Sequence, residues 1–229
     1  NVLWVGHPMI DLTKKLPLKK DARAMLNLRS DQSILLLMPA SRPQELRYVL
    51  PTFMRAAKKL QQKYPSLVVY IPSCRRSFDE IFKKAFRKYQ IKGLVISQKD
   101  SAKLKPYIYS LTKIALCKSG TVNMELALNG IPQIVGYKVS RVTAFIARKI
   151  LNFKVRFISP VNLLVNKLII PEFVQKDFNE KKIFYKSCRI LEGKSEKIKI
   201  KKGYAFLKKE LGEKGVVQRA AKEIINSII

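Results

Sequence analysis

The stretch SILLLMPASRPQELRYVLPTFMRAAKKLQQKYPSLVVYIP, residues 33–72, decides the fold. It contains two continuous apolar runs, 33–39 and 66–72, and such runs are typical of strands covered on both faces. Between them, apolar residues recur at steps of three and four. This spacing predicts a helix over 44–64 with one buried face, in which Pro51 is a kink or an early-turn residue. The stretch therefore predicts a strand–helix–strand unit with parallel strands.

The same alternation extends along the first two thirds of the chain. Further strands are predicted by short apolar runs bounded by Gly, Pro, Ser or Lys, at 2–6, 93–97, 113–118 and 132–137. A second amphipathic helix is predicted over 76–89. Strands and helices that alternate at this spacing form a doubly wound parallel sheet, so the predicted fold class is α/β and Rossmann-like. Ligands of such sheets bind beyond the carboxyl ends of the strands.

After residue 150 the pattern changes. Short apolar pieces precede a lysine-rich stretch, GKSEKIKIKKGY at 193–204, which we interpret as a solvated connector. A final helix is predicted over 213–229, and its apolar face requires a partner surface. That face comprises Val216, Val217, Ala220, Ala221, Ile224, Ile225 and Ile228.

The composition is strongly basic. The 229 residues include 46 Lys and Arg against 16 Asp and Glu, which gives a formal net charge of +30. Such a charge favours anionic partners, namely phosphorylated ligands, anionic lipid headgroups or nucleic acid. An equally weighted alternative is that A/T-rich coding produced the lysines without a functional demand. The sequence has no recognisable nucleic-acid recognition module and no dense aromatic platform, so we expect no specific nucleic-acid binding.

Cysteine usage and the first residues give further expectations. Cys74, Cys117 and Cys188 lie far apart without a CxxC or Cys/His pairing, and the lone His7 has no partner ligand nearby in sequence. This pattern predicts reduced thiols in a cytosolic protein, with no structural metal and no cofactor. No apolar run approaches the ~20 residues that span a bilayer, and the start lacks the layout of a signal peptide. Because the sequence starts with Asn1 and moves directly into an apolar run, we expect it to be a piece of a longer protein.

Two strand-to-helix turns could carry chemistry. In MPASRPQEL, 38–46, Arg42 lies just before a helix; in CKSGTVNMELAL, 117–128, a Ser-Gly-Thr turn precedes a helix that holds Glu125. Helix starts favour phosphate oxygens and Arg adds a forked donor, so together the turns could clamp a diphosphate. The alternative, slightly favoured by the residues alone, is that they are ordinary helix caps and surface charges.

Other catalytic classes fit poorly. Neither turn has the glycine pattern of a dinucleotide-binding fingerprint or of a P-loop, which disfavours dehydrogenases and P-loop ATPases. A chain with one His and no GxSxG elbow also lacks the parts of a serine hydrolase.

Four blocks in order resemble the C-terminal half of the lipid-A-disaccharide synthase family, glycosyltransferases built from two Rossmann domains (GT-B). The blocks are VGHPMID (5–11), LLLMPASRPQELRYVLPTFMRAAKKL (35–60), SGTVNMELALNGIPQIVGYK (119–138) and NLLVNKLIIPEFVQ (162–175). The resemblance implies that residues 1–175 form a Rossmann-like domain that binds the donor nucleotide sugar. Residues 176–229 would be a C-terminal helical segment that packs on this domain or on an N-terminal half that the chain lacks.

The resemblance also implies a donor site. Arg42 would lie near the donor diphosphate, and Glu125 would accept hydrogen bonds from the ribose hydroxyls of a UDP-sugar. His7 would line the cleft on the interdomain side. The residues implied for donor binding are Ser41, Arg42, Ser119, Gly120, Thr121, Glu125, Asn162, Glu172 and Gln175. The departures from the family pattern are Ala40, Val122, Asn123 and Met124.

The implied reaction is an inverting transfer of 2,3-diacylglucosamine from UDP-2,3-diacylglucosamine to 2,3-diacylglucosamine 1-phosphate, with release of UDP. The catalytic base would belong to the N-terminal half, so the isolated chain is expected to be inactive. Because both substrates are acylated, we expect a peripheral location on the inner face of the cytoplasmic membrane, where basic charge suits anionic lipid. A dimer is left open. The rival hypothesis is a non-catalytic module that holds a UDP-sugar or a phospholipid without transfer.

Overall fold

A computed structural model describes residues 2–140 and 156–227. In this part of the chain, six parallel strands form one sheet in the order β3-β2-β1-β4-β5-β6. They are β1 Ser33–Met38, β2 Leu67–Pro72, β3 Gly93–Ile96, β4 Thr112–Lys118, β5 Gln133–Tyr137 and β6 Glu172–Val174. The strand order reverses between β1 and β4, which is where sheets of this kind bind ligands. The predicted fold class, an α/β doubly wound parallel sheet, is confirmed.

The helices connect these strands. They are α1 Lys19–Leu26, α2 Pro43–Lys63, α3 Arg76–Tyr89, α4 Gln98–Leu111, α5 Val122–Leu128, α6 Pro160–Val165, α7 Glu180–Glu192, α8 Lys194–Leu211 and α9 Val216–Asn226, together with a 3-10 helix at Pro8–Ile10. The predicted helices over 44–64 and 76–89 are confirmed as α2 and α3. Pro51 lies in the interior of α2 and not in its first turn.

Side-chain alternation along β5 shows how the sheet is covered on both faces. Gly136 faces α2, because a Cβ there would lie 2.0 Å from the ring of Phe178 and 2.9 Å from that of Phe53. These two rings meet edge to face, with centroids 5.1 Å apart. Gln133 lies three positions earlier in β5, so its side chain projects to the opposite face of the sheet, where it contacts Tyr204 of α8. The sheet therefore lies between a layer that contains α2 and a layer that contains α8.

Two predictions of secondary structure are wrong. Residues 2–6 do not form a strand, and the side chains of Leu3 and Trp4 are 63% and 66% exposed. The lysine-rich stretch 193–204 is not a connector, since all of it after Gly193 lies in α8. The buried residues of α8 are Ile200, Tyr204, Leu207 and Leu211. Their spacing of three and four is helical, but the surrounding lysines dilute the pattern.

The final helix is present as α9, and it binds the start of the described chain. Oxygens of the Asp11 carboxylate accept from the amides of Gly215 and Val217, at 2.7 and 3.1 Å, and Arg219 donates to the carbonyl of Val5. The backbone hydrogen bond from Val217 is the main cause that lowers the pKa of Asp11. Segment 5–11 and α9 thus form one substructure.

The apolar face predicted for α9 is only partly covered. Val216 is buried, whereas Val217, Ile224 and Ile225 are more than half exposed. Ile228 lies outside the described residues. The domain division at residue 175 remains a prediction; after that point, α7 contacts α2 and α8 contacts α5 and α6.

Candidate functional site

The turn between β4 and α5 is held by side-chain hydrogen bonds. The hydroxyl of Ser119 donates to the carbonyl of Ile158 at 2.5 Å. The amide of Gly120 donates to Oδ1 of Asn123 at 2.8 Å, and Thr121 is the N-cap residue of α5. A Cβ built at Gly120 would meet no heavy atom of the described residues within 4 Å. The turn is therefore fixed from within and open on its outer side.

A buried polar cluster lies beneath this turn, formed by Cys117, Asn123, Gln133 and Tyr204. Nδ2 of Asn123 donates to Sγ of Cys117 at 3.2 Å and to Oε1 of Gln133 at 3.1 Å. Nε2 of Gln133 donates to the carbonyl of Asn123 at 2.9 Å and to the hydroxyl of Tyr204 at 3.2 Å. Burial raises the pKa of the Cys117 thiol to about 12, so the cluster carries no charge at neutral pH. A buried, well-paired network of this kind rigidifies the backbone it contacts.

A second network reaches the turn from β6. The Glu172 carboxylate accepts from the amide of Ile158 at 2.7 Å, from the amide and hydroxyl of Ser159 at 3.0 and 2.6 Å, and from Nδ2 of Asn162 at 2.6 Å. Asn162 also donates to one backbone carbonyl and accepts from two backbone amides of the following loop. All its hydrogen-bonding positions are therefore used within the protein. This network holds the carbonyl that Ser119 contacts.

The turn between β1 and α2 is built differently. Ser41 and Arg42 are exposed, and Arg42 occupies the N-cap position of α2 without a side-chain capping bond. Its carbonyl accepts from the amide of Glu45 at 3.2 Å. Across residues 2–140 and 156–227 the guanidinium of Arg42 has no partner. Met38 of β1 pairs with Cys117 of β4, so this turn begins beside the β4–α5 turn.

An ion pair joins the two turns. Nζ of Lys118, the last residue of β4, bonds to Oε1 of Glu45 in the first turn of α2. Both side chains are mostly buried, at 16% and 15% exposed. Within the described ranges, the buried Oε2 of Glu45 lacks a hydrogen-bond partner. Sequence reasoning missed this pair because its members lie far apart in sequence.

Glu125, the predicted ribose acceptor, already has a cationic partner. Its carboxylate pairs with Nζ of Lys105 in α4 at 2.6 Å, and both side chains are partly exposed. Burial, followed by the nearby Glu125 carboxylate, raises the pKa of the Tyr109 hydroxyl. Glu125 therefore faces α4 one helical turn after the Ser-Gly-Thr turn.

The remaining predicted residues lie in two different places. Gln175 follows β6 in a left-handed conformation, with φ of 53°, and its amide donates to the carbonyl of Tyr137 at 3.0 Å. It thus lies beside the end of β5. His7 instead caps the 3-10 helix, since its Nδ1 accepts from the amide of Met9 at 3.2 Å. Its amide donates to Leu211, so its hydrogen bonds do not connect it to the two turns.

The described residues contain neither a metal-binding cluster nor a helix that could span a membrane. No group of three or more His, Cys, Asp or Glu side chains is arranged to hold a metal ion, and the three cysteines are unpaired thiols. None of the helices at 2–140 and 156–227 combines the length and hydropathy that crossing a membrane requires.

The sequence matches a known family along its length. The family model described as lipid-A-disaccharide synthetase matches residues 1–228. The chain belongs to this family. A lipid-A-disaccharide synthase of Prochlorococcus marinus (strain MIT 9313) is 45% identical over 225 residues, which are 98% of this chain and 57% of that protein. Another, of Gloeothece citriformis (strain PCC 7424), is 36% identical over 228 residues, covering 100% of this chain and 58% of that protein. The chain thus spans between half and two thirds of these relatives.

Solved structures share the fold at low sequence identity. A UDP-GlcNAc 2-epimerase from Neisseria meningitidis bound to UDP-GlcNAc has a TM-score of 0.58 at 13% identity, covering 91% of this chain and 49% of that chain. WaaG, a glycosyltransferase involved in lipopolysaccharide biosynthesis, has a TM-score of 0.52 at 11% identity, covering 92% and 51%. At these identities the likeness shows the fold alone. The predictions of lipid-A-disaccharide synthase resemblance and of a GT-B Rossmann-like fold are confirmed.

Proposed function

We propose that this chain is the donor-binding part of a lipid-A-disaccharide synthase. The enzyme would transfer 2,3-diacylglucosamine from UDP-2,3-diacylglucosamine to 2,3-diacylglucosamine 1-phosphate and release UDP, with inversion at the transferred sugar. The observation that carries the proposal is the family match over residues 1–228. The alternative of a binding module without transfer is less favoured, because the relatives named above are synthases.

The two turns at the strand-order reversal would bind the donor diphosphate. The β4–α5 turn offers an open, fixed backbone at Gly120 and the exposed Thr121. Arg42 would approach from the β1–α2 turn with Ser41 beside it, and a guanidinium matches phosphate oxygens with two parallel hydrogen bonds. Positive charge at this point would stabilise the negative charge that grows on the leaving UDP. The proposed role of Arg42 and the two helix starts is electrostatic and involves no proton transfer.

The nucleoside would lie next to α5. A carboxylate has two oxygens with about four acceptor positions, so Glu125 can keep Lys105 and still accept from ribose hydroxyls. Asn162 and Glu172 would act from behind the site, because their polar groups hold the loop that Ser119 contacts. Gln175, beside the end of β5, would close the same side of the site.

The rest of the reaction would need the part of the relatives that this chain does not span. That part would bind the acylated acceptor and supply the catalytic base, so the isolated chain would not transfer sugar. We expect His7 on the side that faces it. The exposed apolar part of α9 would pack against the same half or against a second copy in a dimer.

A peripheral location on the inner face of the cytoplasmic membrane would bring the protein to its acylated substrates. The net charge of +30 supports attraction to anionic lipid. Leu163 and Leu164 of α6, with Leu168 after it, are each about half exposed and flank Lys167. An exposed leucine group beside a cation suits insertion between lipid headgroups.

Calorimetric titration of the chain with UDP, UMP and a random oligonucleotide tests the donor site. We expect UDP to bind, Glu125→Ala to abolish that binding, and Glu210→Ala, on an exposed part of α8, to leave it unchanged. Steeply salt-dependent oligonucleotide binding without a UDP response would contradict the proposal. Transfer needs a separate assay: a full-length protein that binds UDP but makes no disaccharide from the two acylated sugars would support the binding-module hypothesis.

A further inference from the structure

The ion pair between Lys118 and Glu45 lies next to both the β4–α5 turn and the β1–α2 turn. Lys118 directly precedes Ser119 of the β4–α5 turn, and Glu45 lies three residues after Arg42 of the β1–α2 turn. The pair therefore lies at the carboxyl edge of adjacent strands, where the strand order reverses. Neither residue belongs to the set that the family resemblance implies for the donor.

The strand register fixes the direction in which Lys118 points. It pairs with Gly136 of β5, and residues paired in parallel strands project to the same face. Gly136 faces Phe53 of α2. Lys118 therefore extends toward α2, on the side from which Arg42 would approach a ligand.

The hydrogen bonding of this pair is incomplete. An ammonium group has three N–H donors. Within 2–140 and 156–227, Glu45 is the hydrogen-bond acceptor found for the ammonium of Lys118. The Tyr137 ring, with its centroid 6.0 Å from Nζ, adds a weaker contact. On the other partner, Oε2 of Glu45 is buried without a hydrogen-bond donor in the described residues. Mostly buried charges are poorly compensated by a single contact, so both groups would gain from further partners.

We propose that Lys118 is a further diphosphate-binding residue of the donor site, and that Glu45 is its partner while the site is empty. This inference rests on the proposed function. A diphosphate between the two turns supplies acceptors for the unused donors of the ammonium. The contact with Glu45 is charge-assisted like a contact with phosphate, but the diphosphate carries more negative charge than one carboxylate, so the ligand competes with Glu45 for Lys118.

A purely structural role gives a different expectation. If the pair only fastened α2 to β4, its loss would lower stability and weaken every ligand of the site to a similar extent. A diphosphate contact instead affects ligands according to their phosphates. UDP and uridine share the nucleoside and differ in the diphosphate, so their comparison separates the two roles.

The test measures UDP affinity by calorimetry and uridine affinity by NMR titration on the 229-residue chain and its variants. We expect Lys118→Met to weaken UDP about 10- to 100-fold and to leave uridine within about twofold, as for loss of one charged hydrogen bond. Lys118→Arg keeps most of the UDP affinity. Lys208→Met, an exposed change of the same charge on α8, controls for net charge and leaves both affinities unchanged.

Glu45→Gln provides the second arm, and it remains informative if Lys118→Met does not fold. Removing the competing carboxylate should tighten UDP severalfold without changing uridine. Equal losses of UDP and uridine in Lys118→Met, or weaker UDP binding in Glu45→Gln, would overturn the inference while the donor site stands. A wild-type chain that does not bind UDP would overturn the proposed function together with it.

Discussion

The two turns beside the strand-order reversal differ in how they are held. The β4–α5 turn rests on the buried polar cluster and on the network of Glu172. The β1–α2 turn presents Arg42, whose guanidinium has no partner in the described residues, at an exposed helix start. A rigid side lowers the ordering cost of binding, whereas a free arginine can adjust to the ligand. The proposed site would therefore have one preorganised wall, the β4–α5 turn, and one adaptable wall, the β1–α2 turn.

Among the substitutions considered, a change at Asn123 should have the largest effect on stability, because it removes the support of the preorganised wall. Asn123→Ala removes the acceptor of the Gly120 amide and the donor to Gln133, which leaves buried polar groups unpaired. We expect a loss of about 3 kcal/mol in the free energy of unfolding, measured by urea denaturation. Asn226→Ala, an exposed change at the end of α9, serves as the control. An unchanged midpoint for Asn123→Ala would show that the cluster does not support the turn.

Substitution of Glu172 should have the next largest effect on stability. Glu172→Gln replaces one acceptor oxygen by an amide group that faces N–H and O–H donors. We expect a stability loss of about 2 kcal/mol and weaker UDP binding, because the loop beside Ser119 loses its anchor. Thermal unfolding and UDP titration measure the two effects. Loss of binding at full stability would instead indicate direct contact between Glu172 and the donor.

A substitution in the adaptable wall should affect UDP affinity and leave stability almost unchanged. Arg42→Ala should change the free energy of unfolding by less than about 0.5 kcal/mol, since the guanidinium has no partner in the described structure. UDP affinity should fall about tenfold. Arg87→Ala, an exposed change near the end of α3, controls for the lost charge. A large stability loss without a change in UDP affinity would reverse the assignment of the two walls.

Acid should weaken the link between segment 5–11 and α9. The pKa of Asp11 is lowered by its backbone hydrogen bonds, so the ionised carboxylate stabilises the folded state. This contribution is fully present above the unfolded pKa of about 3.9 and disappears as pH falls through the lower folded pKa. The stability difference between wild type and Asp11→Asn should therefore shrink below about pH 4. Denaturation at several pH values measures it, and a constant difference down to pH 2 would contradict this explanation.

The central sheet could be predicted from the sequence because its strands are continuous apolar runs between clear turn signals. The run at 2–6 has the same composition, but it lies beside α9 with Leu3 and Trp4 exposed. Helix α8 was missed because lysines surround its buried residues. Composition alone does not show which apolar residues the rest of the fold covers.

The candidate site was predictable as two turns but not as a set of contacts. A turn between a strand and a helix is a local feature, so Arg42 and Ser119 could be located from neighbouring residues. The ion pair of Lys118 and Glu45 joins positions 73 apart in sequence. Tyr204 reaches Gln133 over 71 positions. Such contacts depend on which strands become neighbours, and that order has no local signal in the sequence.

The end of β4 has a consequence for strand register. Cys117 points into the uncharged cluster and Lys118 points toward α2, so two successive residues have opposite requirements. A shift of one position would place the ammonium among buried amides and a thiol beside Glu45. An insertion or deletion within this strand would therefore cost far more than one in an outer loop. The alternation of the Cys117 thiol and the Lys118 ammonium therefore fixes the register of β4, the strand that leads into the proposed donor site.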